Sequence, residues 1–355
     1  VKGRKNMKVN ILSSAGKFPG QGVYSAYMDC VYVLKTTGKV EITENVWNSD
    51  AQVQHSHTPD PKVFLQTLLN RRKSLNVVTA HVLPDSIRGS IRNSWILAPL
   101  FGIWLKWLYS LNDVVLAVSE DVADELQKKL KIKKEKIYVF PNYVREDLYL
   151  ISDEKVKIEK ARLRKELGFK DEDFIIVGAG QVQPRKGIKD FVEVAQKLPQ
   201  FKFVWVGGNP FKDYTEGYHE MKKITENHPE NVFFTGTVSR EKVRDYYMLS
   251  DIMFLPSYQE TFGLVIVEAA GSGLPLLLRD LQVYTTIFDD CYLKASDNQT
   301  FIDYIDRLSK DKDLYREMSC KARKLFEKYG SSRAGINLLE IYSKYYYKKF
   351  GKKLF

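Results

Sequence analysis

Short apolar runs recur along the first half of the chain at Lys8-Val-Asn-Ile-Leu-Ser13, Val40 to Glu44, Val53 to His57, Val77 to His81, Val114 to Val118 and Ile137 to Phe140. Their length and β-branched content predict strands. Helical patterns fill the gaps; the first follows the loop Phe18-Pro-Gly-Gln-Gly-Val23 and runs to about Lys35. Strands alternating with helices imply a parallel sheet with helices on its faces. Pro141-Asn142 punctuates the chain, and the charged stretch Ser152 to Glu166 places the domain boundary, with residues 1–155 as the first domain. The alternation resumes at Phe174 to Ala179, Lys202 to Gly207, Val232 to Thr235, Ile252 to Leu255 and Pro275 to Leu278. Residues 156–328 are thus predicted as a second doubly wound domain, with ligands at the carboxyl ends of its strands. From Asp311 onward the pattern is wholly helical, and 329–355 is read as a closing helix. The expected class is α/β, two Rossmann-like domains.

Composition changes this picture little. The 355 residues suffice for two ordinary domains, and 44% hydrophobic with 28% charged residues is a globular balance without repeats. Cys30, Cys291 and Cys320 are odd in number and far apart, which fits a reducing compartment better than a disulfide framework. His55-Ser-His57 is the one metal-like spacing, and its place at a strand end favours a loop role. No secretory signal is recognisable, and Val1 to Asn6 reads as a leader before Met7. The most apolar segment, Trp95 to Leu111, is short for a span and holds Pro99, Gly102 and Lys106, so no transmembrane helix is expected. Net charge changes more: 55 basic against 44 acidic residues give +11, which favours nucleic acid or an acidic membrane surface as partner.

The chemistry concentrates between two glutamates. Glu260 follows the strand Asp251-Ile-Met-Phe-Leu255, and Glu268 is expected about two turns into the next helix. Between them Thr261-Phe262-Gly263 is a turn with a capping hydroxyl, and the free N–H groups of a helix start attract phosphate. Carboxylates beside a phosphate site are placed to accept from sugar hydroxyls, the chemistry that a nucleotide sugar needs. A second loop, Gly178-Ala-Gly180-Gln181-Val-Gln-Pro184-Arg185-Lys186-Gly187, brings two cations to a strand end. Gly207-Gly208 closes the strand after Trp205 and would let a base or ribose approach the backbone. In Phe234-Thr-Gly236-Thr-Val238-Ser239 the serine is also a good helix cap.

Pro256-Ser257, Glu260, Phe262-Gly263-Leu264, Glu268-Ala269 and Gly273-Leu-Pro275 together resemble the retaining GT-B glycosyltransferases of family 4. The likeness spans nearly the whole chain. It implies two domains facing across a cleft, with the last helix crossing back to the first. It also implies roles: Glu260 on the sugar hydroxyls, Glu268 on the ribose, and the backbone of Thr261, Phe262, Gly263 and Leu264 on the distal phosphate and sugar. Lys186 matches the diphosphate lysine. Gln181 departs from the usual arginine; as a neutral donor it can still bond a phosphate oxygen, and Arg185 can supply the charge. Gly180 and Gly207 line the same strand ends, and the turn at Val238 would hold the nucleobase through its main chain. Gly22 resembles the glycine that approaches phosphate after the first strand. His81, in Thr79-Ala-His81-Val, stands where the family often has a histidine near the reacting carbon. The resemblance implies transfer with retention, a UDP-sugar as substrate and no obligatory metal, there being no Asp-x-Asp pair placed for one.

Charge location bears on the acceptor. Ser86 to Asn112 holds Arg88, Arg92 and Lys106 beside Trp95, Trp104, Trp107 and Tyr109, and no acid. That suits an interfacial anchor on an anionic phospholipid surface, and equally a buried core helix. Basic runs follow at Lys128-Lys129 through Lys136 and in the tail that carries Lys348 and Lys349. With Thr79-Ala-His81-Val-Leu-Pro-Asp85-Ser86 and Gln181-Val-Gln-Pro-Arg-Lys-Gly187, these features look like bacterial diacylglycerol glucosyltransferases, which implies UDP-glucose as donor, diacylglycerol as acceptor and a peripheral place on the cytoplasmic face of the membrane. Three alternatives stay open: a family 4 enzyme with a soluble or cell-wall or capsule precursor, a basic nucleic-acid-binding protein, and a non-catalytic sugar-nucleotide sensor. No nucleic-acid motif is recognisable.

Overall fold

The computed structural model describes residues 6–17, 22–87, 94–149, 153–209 and 217–354. The chain forms two compact units. The first contains Ser94–Tyr143, the described residues before it, and the chain from Gly330 onward. The second contains Val144–Tyr329. The chain therefore leaves the first unit at Tyr143, ahead of the charged stretch on which the boundary was expected. Asp153–Glu166 of that stretch form a helix of the second unit.

In the first unit the strands are β1 (Met7–Leu12), β2 (Val40–Glu44), β3 (Val53–Ser56), β4 (Leu75–Ala80), β5 (Val114–Ala117) and β6 (Ile137–Val139). They form one parallel sheet in the order β2-β1-β3-β4-β5-β6. β3, β4 and β5 are buried at every position, as a parallel sheet covered on both faces requires. The helices are α1 (Gly22–Thr36), α2 (Pro61–Asn70), α3 (Ser94–Leu111) and α4 (Glu120–Lys128). Asp60 caps α2 and Ser119 caps α4, each accepting from a backbone N–H three residues on. His55 pairs with Val77 in the register of β3 on β4, so the residues just past both strands, His57 and His81, fall at neighbouring carboxyl ends.

The second unit opens with α5 (Glu146–Tyr149) and α6 (Asp153–Glu166). Its strands are β7 (Ile175–Ala179), β8 (Lys202–Val206), β9 (Val232–Phe234), β10 (Ile252–Leu255), β11 (Leu276–Arg279) and β12 (Leu293–Ala295). The order is β12-β11-β10-β7-β8-β9, all parallel. Helices α7 (Ile188–Lys197), α8 (Tyr218–Glu226), α9 (Arg240–Leu249), α10 (Leu264–Gly271), α11 (Gln282–Phe288), α12 (Asn298–Lys310) and α13 (Lys312–Lys328) complete it. From β7 the chain runs outward through β8 and β9 and then returns to the other side of β7 as β10. The loops after β7 and β10 therefore diverge at a topological switch point, where such sheets open a crevice at the carboxyl ends of their strands.

The last helix, α14 (Ala334–Phe350), belongs to the first unit. Leu338, Leu339, Ile341 and Tyr342 pack with α1 and the sheet in one core. The helical run expected from Asp311 is broken at Tyr329 and Gly330, between α13 and α14. Eleven of the twelve strands among the described residues stand where the apolar runs predict, with ends shifted by at most two residues. β12 was not predicted, being a three-residue edge strand with Lys294 in its centre.

Candidate functional site

Backbone packing sets the crevice of the second unit. Gly207, just past β8, has φ 137°, and a Cβ there would lie 2.1 Å from the carbonyl oxygen of Gly180, just past β7. Only glycine permits that contact. The crossing is tied by Gly180 N to Val206 O at 3.0 Å, by Val182 N to Gly208 O at 2.9 Å, and by Trp205 Nε1 to Gly180 O at 3.0 Å. These glycines thus bring two strand ends together, a role beyond the ligand approach read from the sequence. Gly187 does the same between the two site loops: its φ is 73°, and a Cβ would lie 2.2 Å from Pro256 O. Tyr258 N donates to Arg185 O at 2.8 Å, so the loop after β10 leans on the loop after β7.

The charged groups follow from this backbone. Lys186 is buried and its ammonium donates to Glu260 Oε1. Ser257 Oγ donates to the same oxygen at 3.2 Å. Burial lowers the Lys186 pKa despite the pull of Glu260, and it lowers Arg185 likewise. Arg185 is steadied by Gln183, Nε to Oε1 at 2.8 Å. Gln181 is partly exposed beside them. Glu268 is buried, with Arg240 Nη2 3.4 Å from its Oε1. Val238 lies two residues before Arg240, in the turn that leads from β9 to α9, and Ser239 caps α9 as expected.

Two local expectations are corrected. The cap of α10 is Gly263, in the left-handed conformation at φ 85°, and not Thr261. Glu268 is the fifth residue of α10, little more than one turn in, because the helix starts only at Leu264. Phe262 sends its ring into the core against Tyr329 and Phe288, so only its main chain can meet a ligand.

Sequence reasoning passed over Arg240 and Arg279. Arg279 ends β11 and binds Pro256 O through Nε at 3.0 Å and Ser296 O through Nη1 at 3.0 Å. Its guanidinium lies 4.0 Å from the Tyr258 ring centroid and 3.2 Å from Asp190. It braces the loop that carries Glu260. The available signal was an arginine closing an all-leucine strand, Leu276-Leu-Leu-Arg279.

In the first unit, Gly22 begins α1 and is exposed. His81 is partly exposed, and its Nε2 lies 3.0 Å from His57 Nδ1. The expected loop role of the histidine pair is corrected: His55 lies within β3, and both histidines are buried. His55 contacts Tyr342 Oη through Nδ1 at 2.7 Å and Thr79 Oγ1 through Nε2 at 2.8 Å. Among the described residues, Cys30, His55 and His57 bring ligand-type atoms within 4.8 Å of one another. Both nitrogens of His55 are already engaged in hydrogen bonds, and burial pushes the Cys30 thiol up to about 12. Burial lowers His55 to about 3 and His81 to about 4.

The surface of this unit carries an inverted helix. α2 buries Val63 but also the polar Gln66, Thr67 and Asn70, and it turns Leu65, Leu68 and Leu69 outward, Leu69 at 52% exposure. Gln66 and Asn70 are held inside by hydrogen bonds to Val46 O and Gln66 O. α3 packs beside α2 through Phe64 against Trp104, whose Nε1 donates to Pro59 O at 2.7 Å. α3 buries Leu105, Leu108 and Tyr109 and exposes Leu100, Ile103, Lys106 and Trp107. It is therefore both a core helix and an exposed apolar face. No helix among the described residues is long and apolar enough to cross a membrane. Arg88 and Arg92 lie outside the described residues, and of Trp95 only its place in α3 is described.

Not every expected membrane cation is free. Lys128 pairs with Asp124 at 2.6 Å, and Lys129 with Asp85 at 2.8 Å and Glu125 at 3.0 Å. Lys349 donates to Asp113 Oδ2, Arg71 O and Ser74 O at 2.6–2.8 Å and so latches α14 to the sheet. Its role is structural. Lys348 lies over the Tyr345 ring, 5.9 Å from its centroid.

Residues 159–325 match the family model of the glycosyl transferases group 1, and residues 41–148 match that of glycosyltransferase family 4. The chain is 34% identical over 98% of its length, and 91% of the relative's, to the alpha-galactosylglucosyldiacylglycerol synthase of Streptococcus pneumoniae. It is 29% identical over 60% of its length, and 62% of the relative's, to the processive diacylglycerol alpha-glucosyltransferase of Acholeplasma laidlawii. Among solved structures, Anabaena Alr3699/HepE in complex with UDP-glucose aligns over 96% of this chain and all of its own, at TM-score 0.74 and 17% identity. Sucrose-phosphate synthase from Thermosynechococcus elongatus aligns over 96% of this chain and 99% of its own, at TM-score 0.77 and 16% identity. The chain belongs to the family 4 glycosyltransferases, and its two sheets have the GT-B fold. It is a hexosyltransferase related to glycolipid synthases.

Proposed function

We propose that this enzyme moves a hexose from a UDP-sugar to a diacylglycerol-anchored acceptor, with retention, as a peripheral protein on the cytoplasmic, anionic face of a membrane. The C1–O bond to the diphosphate breaks and a C1–O bond to the acceptor hydroxyl forms on the same face. The acceptor proton passes to an oxygen of the departing UDP. Lys186, Arg185 and the start of α10 offset the charge on that leaving group, with no metal needed at the diphosphate. Glu260 takes the sugar hydroxyls, Glu268 the ribose, and His81 faces the reacting carbon.

The observation that carries the lipid half is the outward leucine face of α2 beside Leu100, Ile103 and Trp107 of α3. Lys62, Arg71, Arg72, Lys73 and Lys106 are exposed on the same two helices or just past α2. Apolar side chains among cations suit an anionic bilayer, to which each such cation adds about 1 kcal/mol. The likeness to glycolipid synthases supports the same reading. Glucose onto diacylglycerol is the reading that the resemblance in the sequence motifs supports. The whole-length likeness to the pneumococcal enzyme favours a second reading, galactose onto an already glucosylated diacylglycerol.

The test uses micelles of phosphatidylglycerol that carry diacylglycerol or monoglucosyl-diacylglycerol, each with labelled UDP-glucose or UDP-galactose. A glycolipid product with an α-anomeric bond is expected. Its sugar and acceptor choose between the two readings. UDP-sugar turnover on water-soluble acceptors alone, or a salt-dependent duplex shift without turnover, would reject the lipid acceptor.

A further inference from the structure

We propose that His57 is a positioning residue that fixes the tautomer of His81, so that His81 presents Nδ1–H as a hydrogen-bond donor. This rests on the reading of His81 as the imidazole that faces the reacting carbon. The two side chains follow neighbouring parallel strands, β3 and β4. Their ring planes are inclined by only 21° with centroids 5.3 Å apart, and His57 Nδ1 is 3.0 Å from His81 Nε2, so the rings meet edge to edge through these two nitrogens. Two neutral imidazoles share one hydrogen along such a line, so the proton sits on one of those two nitrogens.

The buried environment decides which. His57 Nε2 is buried and has no hydrogen-bond partner among the described residues. If His81 Nε2–H were the donor, neutral His57 would carry its hydrogen on Nε2, a buried N–H without an acceptor. If His57 Nδ1–H is the donor, Nε2 is only an unused lone pair. Buried N–H groups without partners are the rarer and costlier of the two. His57 therefore donates and His81 Nε2 accepts, which leaves the His81 hydrogen on Nδ1. Among the described residues Nδ1 of His81 takes no protein partner, so the hydrogen is available to a ligand.

The groups packed around the pair support a neutral state. Tyr27 of α1 and His55 of β3 pack against the His57 ring, and His55 in turn contacts Cys30 of α1 and Tyr342 of α14. Each brings a hydroxyl, thiol or imidazole, and the Tyr27 hydroxyl is itself bonded to Glu44. Burial lowers both imidazoles well below neutral pH. In this state His81 has no free lone pair for a substrate proton. It acts as a donor to a sugar or acceptor oxygen, and the acceptor proton goes elsewhere, as transfer to the departing phosphate requires.

Two measurements test this on the full chain. Long-range proton–nitrogen correlation of histidine-labelled protein at pH 7 should show His81 protonated on Nδ1 and bare on Nε2. The reverse tautomer overturns the proposal without any mutation. In the micelle assay, His57→Leu should lower kcat about 10- to 100-fold while KM for the UDP-sugar stays within about twofold. His57→Asn, whose amide N–H can stand near Nδ1, should recover most of the loss. His57→Leu combined with His81→Ala should be no slower than His81→Ala alone. Wild-type turnover in His57→Leu where His81→Ala has lost it rejects the positioning role. Wild-type turnover in His81→Ala rejects instead the reading of His81 on which the proposal stands.

Discussion

The Lys186 ammonium is bonded to the Glu260 carboxylate, and neither side chain is more than 11% exposed. This pair joins the loop after β7 to the loop after β10 across the switch point of the sheet. A diphosphate at the α10 start would compete with Glu260 for that lysine, which leaves the carboxylate free for sugar hydroxyls. Lys186→Ala should therefore weaken UDP binding at least about tenfold. It should also destabilise the fold by about 3 kcal/mol, because Glu260 stays buried without its cation. Glu260→Gln should keep UDP affinity near wild type and lower kcat about 100-fold. Calorimetry with UDP and turnover of the UDP-sugar check both, and a fully active Glu260→Gln would remove that residue from the chemistry.

Glu268 differs from Glu260 in partner and depth. It is buried in α10 with Arg240 3.4 Å away, and burial together with its carboxylate raises the Tyr247 phenol. A ribose would share that carboxylate with Arg240. Glu268→Ala should raise the dissociation constant for UDP about tenfold and change kcat at saturating donor far less. Equal loss of kcat in Glu260→Ala and Glu268→Ala would show that the two acids do not divide the labour in this way.

The strands were legible because each is a short apolar run that a parallel sheet buries on both faces, and the register of sugar-site residues followed from strand ends. β12 was missed because three residues with a central lysine carry too little pattern. Glu260, Glu268, Lys186 and the glycines were legible because their spacing is local, within one strand–loop–helix unit. Arg240, Arg279 and the His57–His81 contact were not, since each depends on which strands become neighbours. The outward leucines of α2 were hidden for another reason: Leu65, Leu68 and Leu69 look like an ordinary core face. Only the hydrogen bonds that hold Gln66 and Asn70 inside reveal the inversion. Lys349 misled similarly, because a lysine in a basic tail reads as solvated until its three oxygen partners are seen.

Gly207 gives a backbone test. A methyl at this position would sit 2.1 Å from Gly180 O, and φ 137° is strained for any other residue. Gly207→Ala should cost at least about 2–3 kcal/mol and yield little folded protein. Gly180→Ala meets only the Lys186 side chain, at 3.6 Å, so its penalty should be the smaller strain of its own φ of 140°. Urea midpoints order the two, and a Gly207→Ala protein as stable as wild type would mean that the strand ends are not in contact.

The histidines of β3 and at the end of β4 predict a pH dependence. Their folded pKa values lie below the ordinary 6.5, near 3 for His55 and near 4 for His81, because burial disfavours the charged ring. The unfolded chain thus binds more protons below pH 6.5. The stability these groups contribute is complete above that pH and is lost as pH falls from 6.5 toward 4 and 3, at about 1.4 kcal/mol for each pKa unit of difference. Urea midpoints should therefore already decline between pH 6.5 and 5, above the carboxylate range. His55→Gln should show a shallower decline over that interval, and an unchanged slope would mean that His55 is not neutral in the folded protein.

Membrane docking by the outward faces of α2 and α3 is tested by separating apolar contact from charge. Leu65, Leu68, Leu69 and Trp107 are each at least 45% exposed, so changing them to serine removes only part-covered contacts of the monomer. The Leu65→Ser, Leu68→Ser, Leu69→Ser variant should lose no more than about 1.5 kcal/mol of unfolding free energy relative to wild type and stay folded at about 25 °C. Its partition onto phosphatidylglycerol vesicles should fall at least about tenfold, since each leucine brought into the interface contributes through apolar area. Lys106→Gln should weaken binding less, and its effect should vanish at high salt, where the Debye length shrinks to about 3 Å. Lys349→Gln should behave oppositely: it should lower the urea midpoint by breaking the latch to Asp113 and leave vesicle binding of the folded fraction unchanged. Vesicle binding that survives the triple serine change would place the docking surface elsewhere on the protein.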